Sequence, residues 1–153
     1  MSRSPDFHID RNGTWRYRGS VIEREAMLRL FAGMLCKRGE HHVLRTPAQE
    51  VRVRADDAPF LITDMALPAD CAGVRRVWMI TDLGDRFLLC REHPLFLRED
   101  PERGEVRAYQ RVRGGMTALV HRNVFYRMAE MAEVDAESGK TGVCSDGIFF
   151  ALE

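Results

Sequence analysis

Thr46-Pro-Ala-Gln-Glu-Val-Arg-Val-Arg-Ala-Asp-Asp-Ala-Pro-Phe-Leu-Ile-Thr-Asp-Met-Ala-Leu67 is the stretch on which the reading of the fold turns. Pro47 fixes its own φ and pushes Thr46 out of the helical region, so the run opens extended. Val51, Val53 and Ala55 then alternate with Arg52 and Arg54, the period-two pattern of a strand with one dry and one wet face. Asp56-Asp57-Ala58-Pro59 ends that strand, and the apolar run from Phe60 to Met65 starts another. The whole reads as a strand pair with a charged, proline-stiffened corner.

Working outward, the N-terminal side opens with Phe7 and Ile9 before Asn12-Gly13 and Trp15 and Tyr17 after it. Asn-Gly supplies the positive φ values of a two-residue type I′ hairpin, here over residues 7–17. Ser20 with Glu23 matches a capping box, which predicts a helix over 23–37. Met27, Leu30, Phe31, Met34 and Leu35 form its core stripe, Lys37 and Arg38 sit at its carbonyl end, and Gly39 can take the left-handed cap. His41 and His42 follow as loop surface, because adjacent residues of an extended chain point to opposite faces and cannot share a metal.

On the C-terminal side, the turn formers of 68–73 predict a linker, dividing the chain into units 1–70 and 71–153. Strand-like runs at 74–81 and 86–90 flank Asp82-Leu83-Gly84-Asp85 as a hairpin. An extended stretch at 91–97, a turn at 100–104 and a strand at 106–112 come next. Gly114-Gly115 breaks the chain, Met116 to Val120 reads as a short helical lead, and Asn123 can cap a helix carrying Val124, Phe125, Met128 and Met131. The chain closes on a hairpin about Ser145-Asp146-Gly147. The fold class is α+β: two small related units, each an antiparallel sheet with a helix. Arg16-Tyr-Arg-Gly and Arg111-Val-Arg-Gly each end a strand after a turn, a recurrence that points to duplication.

Composition bounds the function. The chain has 153 residues, 45% of them hydrophobic, enough for a proper core. Its 23 basic and 23 acidic residues balance, so no overall field attracts duplex nucleic acid. Only Lys37 and Lys140 are lysines, and the bias of the rest to arginine reads as a genome-composition effect before it reads as phosphate recognition. Cys36, Cys71, Cys90 and Cys144 are scattered without zinc spacing, and no apolar run is long enough for a signal peptide or membrane span. Free thiols, a cytoplasmic location, no cofactor and no metal are the expectations.

Thr46-Pro47, the Val51-to-Val53 strand, Asp57-Ala58-Pro59-Phe60, His93-Pro94-Leu95, Val112-Arg113-Gly114-Gly115, Val124-Phe125-Tyr126 and the Gly142-Val143, Ser145, Gly147 and Phe149-Phe150 pattern together resemble the bacterial domain-of-unknown-function family 1285. The resemblance runs from Phe7 to Leu152. It implies a duplicated α+β fold whose C-terminal half looks superficially like a pleckstrin-homology barrel. It also implies a site between the domains for a nucleotide-like molecule and a role in signalling, with no established catalytic activity. The chain departs from the family at Cys144, where an aromatic is common, and at Gln49, where Glu is common. The first departure makes position 144 a packing site, and the second removes a carboxylate.

Three functional readings follow. A ligand-binding or sensory module would use Thr46, Arg54, Asp57, Arg113, Gly114 and Gly115, since guanidinium forks suit phosphate oxygens and paired glycines let backbone amides approach an anion. Each of these arginines has the competing role of an ion pair with Asp56 or Asp57. A thiol hydrolase would need Cys144 or Cys90 beside His93 or His121, a pairing the linear sequence does not bring about. An interaction or scaffold module would expose an apolar patch around Trp78 and Phe96.

Overall fold

In the computed structural model, residues 5–68 and 73–153 are described, and Glu50–Ala55 is a strand that does not pair with the one following it. The chain divides into two units, residues 1–59 with 114–116, and residues 60–113 with 117–153. The break falls between Pro59 and Phe60, so the expected strand pair is split between two sheets. Residues 69–72 of the expected linker, Cys71 among them, lie outside the described residues.

The first unit contains strands β1 (Phe7–Ile9), β2 (Trp15–Tyr17) and β3 (Ser20–Val21), helix α1 (Glu25–Met34), and strands β4 (Leu35–Arg38), β5 (His41–Arg45) and β6 (Glu50–Ala55). They form one sheet in the order β3-β2-β1-β6-β5-β4, with β1 and β6 parallel at its centre. Ile9 pairs with Trp15 and Phe7 with Tyr17, so the expected apolar face exists. Ile9 and Trp15 are buried, and Phe31 of α1 packs its ring 5.1 Å from Phe7 and 6.3 Å from Trp15.

Three local expectations in this unit are corrected. The turn is not two-residue type I′: Asp10 N–H donates to the Thr14 carbonyl and Gly13 N–H to the Asp10 carbonyl, both at 3.0 Å. Only Gly13 has positive φ there, the signature of a three-residue loop with a glycine bulge. The Asp10 carboxylate decides it by accepting from Asn12 N–H at 2.9 Å and Thr14 N–H at 3.0 Å. The capping box does not form, because Ser20 pairs with Tyr17 and the helix starts after Arg24 without a side-chain cap. The helix also stops at Met34, since Leu35 is extended and Leu35–Arg38 pairs with His41–Leu44. Within α1, Met27 and Leu30 face solvent.

The second unit begins with β7 (Phe60–Ala66), β8 (Trp78–Thr81) and β9 (Arg86–Leu88), then β10 (Leu95–Glu99), β11 (Val106–Arg111) and β12 (Thr117–Val120). Their sheet has the order β9-β8-β7-β12-β11-β10, with β7 and β12 parallel at its centre. This is the first unit's order with six added to every strand number, so the duplication is one of topology. The Arg-x-Arg-Gly recurrence does not mark it: Arg16–Gly19 runs into the β2–β3 turn and Arg111–Gly114 into the β11–β12 connection, which are not corresponding places. The expected helical lead at 116–120 is strand β12. Ala118, Leu119 and Val120 are buried in succession, and a run covered on both faces carries no alternation to distinguish strand from helix.

Helix α2 (Arg122–Glu130) follows β12, capped by His121, whose Nδ1 accepts from Asn123 N–H at 3.1 Å, and not by the Asn123 side chain. Val124 and Met128 bury its inner face, and Arg127 holds Asp64 of β7 at 2.6 Å. Strands β13 (Glu133–Val134), β14 (Thr141–Ser145) and β15 (Ile148–Ala151) make a three-stranded sheet. Asp146 and Gly147 both have positive φ between the paired Ser145 and Ile148, a two-residue type I′ pattern that Arg18 and Gly19 also show between the paired Tyr17 and Ser20. The described strands form these open sheets and no closed barrel. No described helix is long and apolar enough to cross a membrane, which says nothing of a β-barrel.

Candidate functional site

The wet face of β6 is where the alternation of the sequence places Arg52 and Arg54, and the structure finds both engaged. Arg54 Nε lies 3.2 Å from Asp56 Oδ1, and Asp56 Oδ2 lies 2.7 Å from His8 Nε2. The competing ion-pair role therefore holds for Arg54. Asp57 is half-buried just ahead of buried Ala58, Pro59 and Phe60. Thr46 closes the β5–β6 connection on itself: its hydroxyl donates to the Gln49 carbonyl at 2.8 Å and accepts from Gln49 N–H at 3.0 Å. Since the backbone of residue 49 does this work, Gln in place of Glu leaves the loop intact.

Arg113 is half-buried, with its guanidinium 5.4 Å from the centre of the Phe60 ring, at cation–π distance. Arg113–Gly115 is a kinked turn and not a regular helical one, because Gly114 and Gly115 have φ of 63° and 76°. Both glycines are exposed, and a side chain at Gly115 would meet nothing within 4 Å. Backbone conformation, not crowding, calls for glycine here. This turn is the β11–β12 connection, the counterpart in the second copy of the β5–β6 connection that Thr46 closes.

The fold brings Cys90 and His93 into one turn, Cys90 N–H donating to the His93 carbonyl at 3.4 Å and His93 N–H to the Cys90 carbonyl at 3.2 Å. Cys90 is buried, and burial, together with a hydrogen bond to Glu92, raises its thiol above the ordinary value, away from the thiolate a nucleophile needs. Cys144 is exposed on β14, and the His121 side chain is committed to capping α2. Gln110, fully buried, donates to the Leu88 and His93 carbonyls at 3.3 and 3.2 Å. No group of three His, Cys, Asp or Glu suited to a metal occurs among the described residues. Trp78 and Phe96 are half-buried, Phe96 stacked on Tyr109 at 5.6 Å.

Sequence reasoning missed one contact altogether. Arg52 Nη2 lies 2.7 Å from His41 Nδ1 and 3.2 Å from Nε2, an arginine set against an imidazole where a carboxylate would be usual. The alternation of β6 showed that Arg52 faces water; only the register of β5 against β6 brings His41 to it.

The model of the N-terminal domain of unknown function DUF1285 matches residues 2–58, and that of the C-terminal domain of DUF1285 proteins, also of unknown function, matches residues 59–152. The chain belongs to the DUF1285 family. The two matched domains meet one residue before the structure's own division at Pro59, apart from residues 114–116, which the structure groups with the first unit. A DUF1285 family protein from Silicibacter pomeroyi DSS-3, solved by crystallography, is 36% identical with a TM-score of 0.87, over 97% of this chain and 79% of that one. Another from Shewanella baltica OS155 is 24% identical with a TM-score of 0.64, over 84% of this chain and 94% of that one, a likeness of fold alone. Comparison with curated proteins returns no match.

Proposed function

We propose that this DUF1285 chain is a non-enzymatic, cytoplasmic ligand-binding or sensory module with a role in signalling, and that it takes a nucleotide-like or other phosphate-bearing small molecule at the Arg113-Gly114-Gly115 turn. The observation that carries this reading is the half-buried Arg113 guanidinium stacked on Phe60 and followed at once by two exposed glycines with positive φ. Stacking on a ring pre-orients a planar fork, and bare glycine backbone lets amides reach an anion. Thr46, Arg54 and Asp57 form a second group of candidates in the first unit, already tied into a turn and an ion pair in the cases of Thr46 and Arg54.

The experiment is a thermal-shift screen of nucleoside phosphates, since a molecule that binds only the folded state raises the melting temperature. Arg113→Ala should weaken a hit by about tenfold to a hundredfold, the worth of one charge-assisted hydrogen bond. Arg54→Ala should weaken it as well if the second group contributes. If both variants bind as the parent does, the site is wrong and an interaction module takes its place. That second reading has its own observation: Leu30, 59% exposed on α1, with Met27 beside it and Val21 also exposed.

A further inference from the structure

Residues directly opposite each other in a ladder point to the same face, so the register of the first sheet sorts its side chains without ambiguity. Arg16 pairs with His8, His8 with Arg54, and His41 with Arg38. One step past the His42–Val53 pair places His41 opposite Arg54. The row Arg16, His8, Arg54, His41 and Arg38 thus crosses five strands on one face, about 19 Å at the usual strand spacing. Arg52 and Arg45 lie on the same face in the adjoining rows, opposite Val43 and Glu50. Five guanidiniums share this face with the three carboxylates of Asp10, Glu50 and Asp56, in a chain whose charges balance overall.

Each guanidinium of the row stands opposite a histidine and not another guanidinium, and the excess of five guanidiniums over three carboxylates leaves the face net positive and suited to an anion from outside. The carboxylates present answer only part of it. Arg38 sits 2.8 Å from Glu50, both about half exposed, a pair that opens at little cost. Arg52 has the His41 imidazole, and exposed Arg45 stands opposite Glu50, which is already hydrogen-bonded to Arg38 and which Arg38 and Arg45 both help hold in its charged form. We propose that this face of the first sheet, centred on Arg38, His41, Arg45 and Arg52, binds a chain of linked phosphates. It is separate from the Arg113 turn and does not depend on it.

The chemistry selects this ligand over others. Single-stranded nucleic acid needs aromatic platforms, and the sheet's rings, Phe7, Trp15 and Tyr17, occupy the opposite face against Phe31. An acidic peptide would replace Glu50 and Asp56 with carboxylates of equal charge and gain little. Phosphate groups bring more acceptor oxygens to each fork, and linked in a chain they match a row of cations spread over several strands.

The test titrates the whole chain with tripolyphosphate in a calorimeter at about 20 mM and about 150 mM salt, where exposed charges are progressively screened. Binding that weakens with salt is expected, as are amide shifts on β4, β5 and β6 in the NMR spectrum of the unaltered chain. The Arg45→Gln, Arg52→Gln double variant should bind at least tenfold more weakly, while an Arg29→Gln variant, on exposed α1 outside both proposed sites, should bind like the parent. No heat and no shifts at low salt would overturn the proposal, as would a folded double variant that binds like the parent. Equal binding of poly-glutamate would overturn the phosphate assignment, and loss on Arg113→Ala alone would move the ligand to the other site.

Discussion

Gly142→Ala adds one methyl group to β14, and the structure leaves it no room. A Cβ built there would run into the Phe150 carbonyl oxygen, with Phe149 Cζ at 2.7 Å and Ala151 Cα at 2.9 Å. Two of these three atoms are backbone, on the strand that pairs with Gly142 through Ala151. A flexible side-chain tip could swing aside, but β15 cannot move without loosening its ladder and uncovering buried Val143 and Phe150. Inserting one methylene where side chains can adjust costs roughly 1–3 kcal/mol, and a backbone obstacle puts this case at about 3 kcal/mol. At roughly 2–4 °C per kcal/mol for a chain of this size, the melting temperature should fall by about 6–12 °C. Calorimetry is the assay, with Gly33→Ala as its opposite. Gly33 lies in α1 with nothing within 4 Å of an added Cβ, so the same substitution should stabilise by about 0.5–1 kcal/mol through helix propensity. A Gly142→Ala variant melting within about 2 °C of the parent would refute the reasoning, because the strand would then have opened at no cost.

Ser145, fully buried, accepts the Val77 N–H at 2.9 Å; Ser145→Ala should cost about 1–3 kcal/mol by orphaning that donor, and an unchanged urea midpoint would contradict it. Hydrogen bonds from Arg38, Arg127 and Ser138 hold the Glu50, Asp64 and Asp135 carboxyls below their usual range. Groups so depressed contribute stability above the unfolded carboxylate value of about 4 and lose it as pH falls through the folded value. Asp82, pushed up by burial, acts in the opposite sense, so the urea midpoint should fall from about pH 5 to about pH 3; a flat profile would count against the three contacts. Among the three described thiols, exposed Cys144 should react with a maleimide before half-buried Cys36, and buried Cys90 last of the three; mass spectrometry of partly labelled chain reads the order, and early labelling of Cys90 would contradict its burial.

The period-two run at Val51–Ala55 showed its strand and its wet face because one side of that sheet meets water and selects alternating residues. The hairpin about Asp146-Gly147 was legible for a different reason, two residues able to take positive φ between two apolar runs. Illegible were the places where a local pattern fits two structures. Met34 and Leu35 extend a helical stripe, yet Leu35 is drawn into a strand because Leu44 lies across from it. Ser20 and Glu23 have capping spacing, yet Ser20 closes a tight turn on Tyr17. Of the candidate site, the presence of arginines on β6 was readable, but their partners were not: Asp56 is near in sequence, whereas His8 and His41 reach the same face through parallel and antiparallel pairing over long separations.

The two copies keep a sheet topology and differ in what surrounds it. In the first, the helix lies between the third and fourth strands; in the second it follows the twelfth, and the corresponding stretch between β9 and β10 carries none. The connection that Thr46 closes with its own hydroxyl in one copy is spanned in the other by Arg113 and two glycines. The central strand pair shows the same divergence. Ala118, Leu119 and Val120 are buried one after another, while β6 alternates buried Val53 with exposed Arg52 and Arg54. A strand covered on both faces serves packing; one that keeps a charged face in water through duplication is free to recognise something. The arginines of the two proposed sites therefore lie on a sheet face that keeps its charges in water, and at the β11–β12 connection, where two glycines stand in the place of a closed turn.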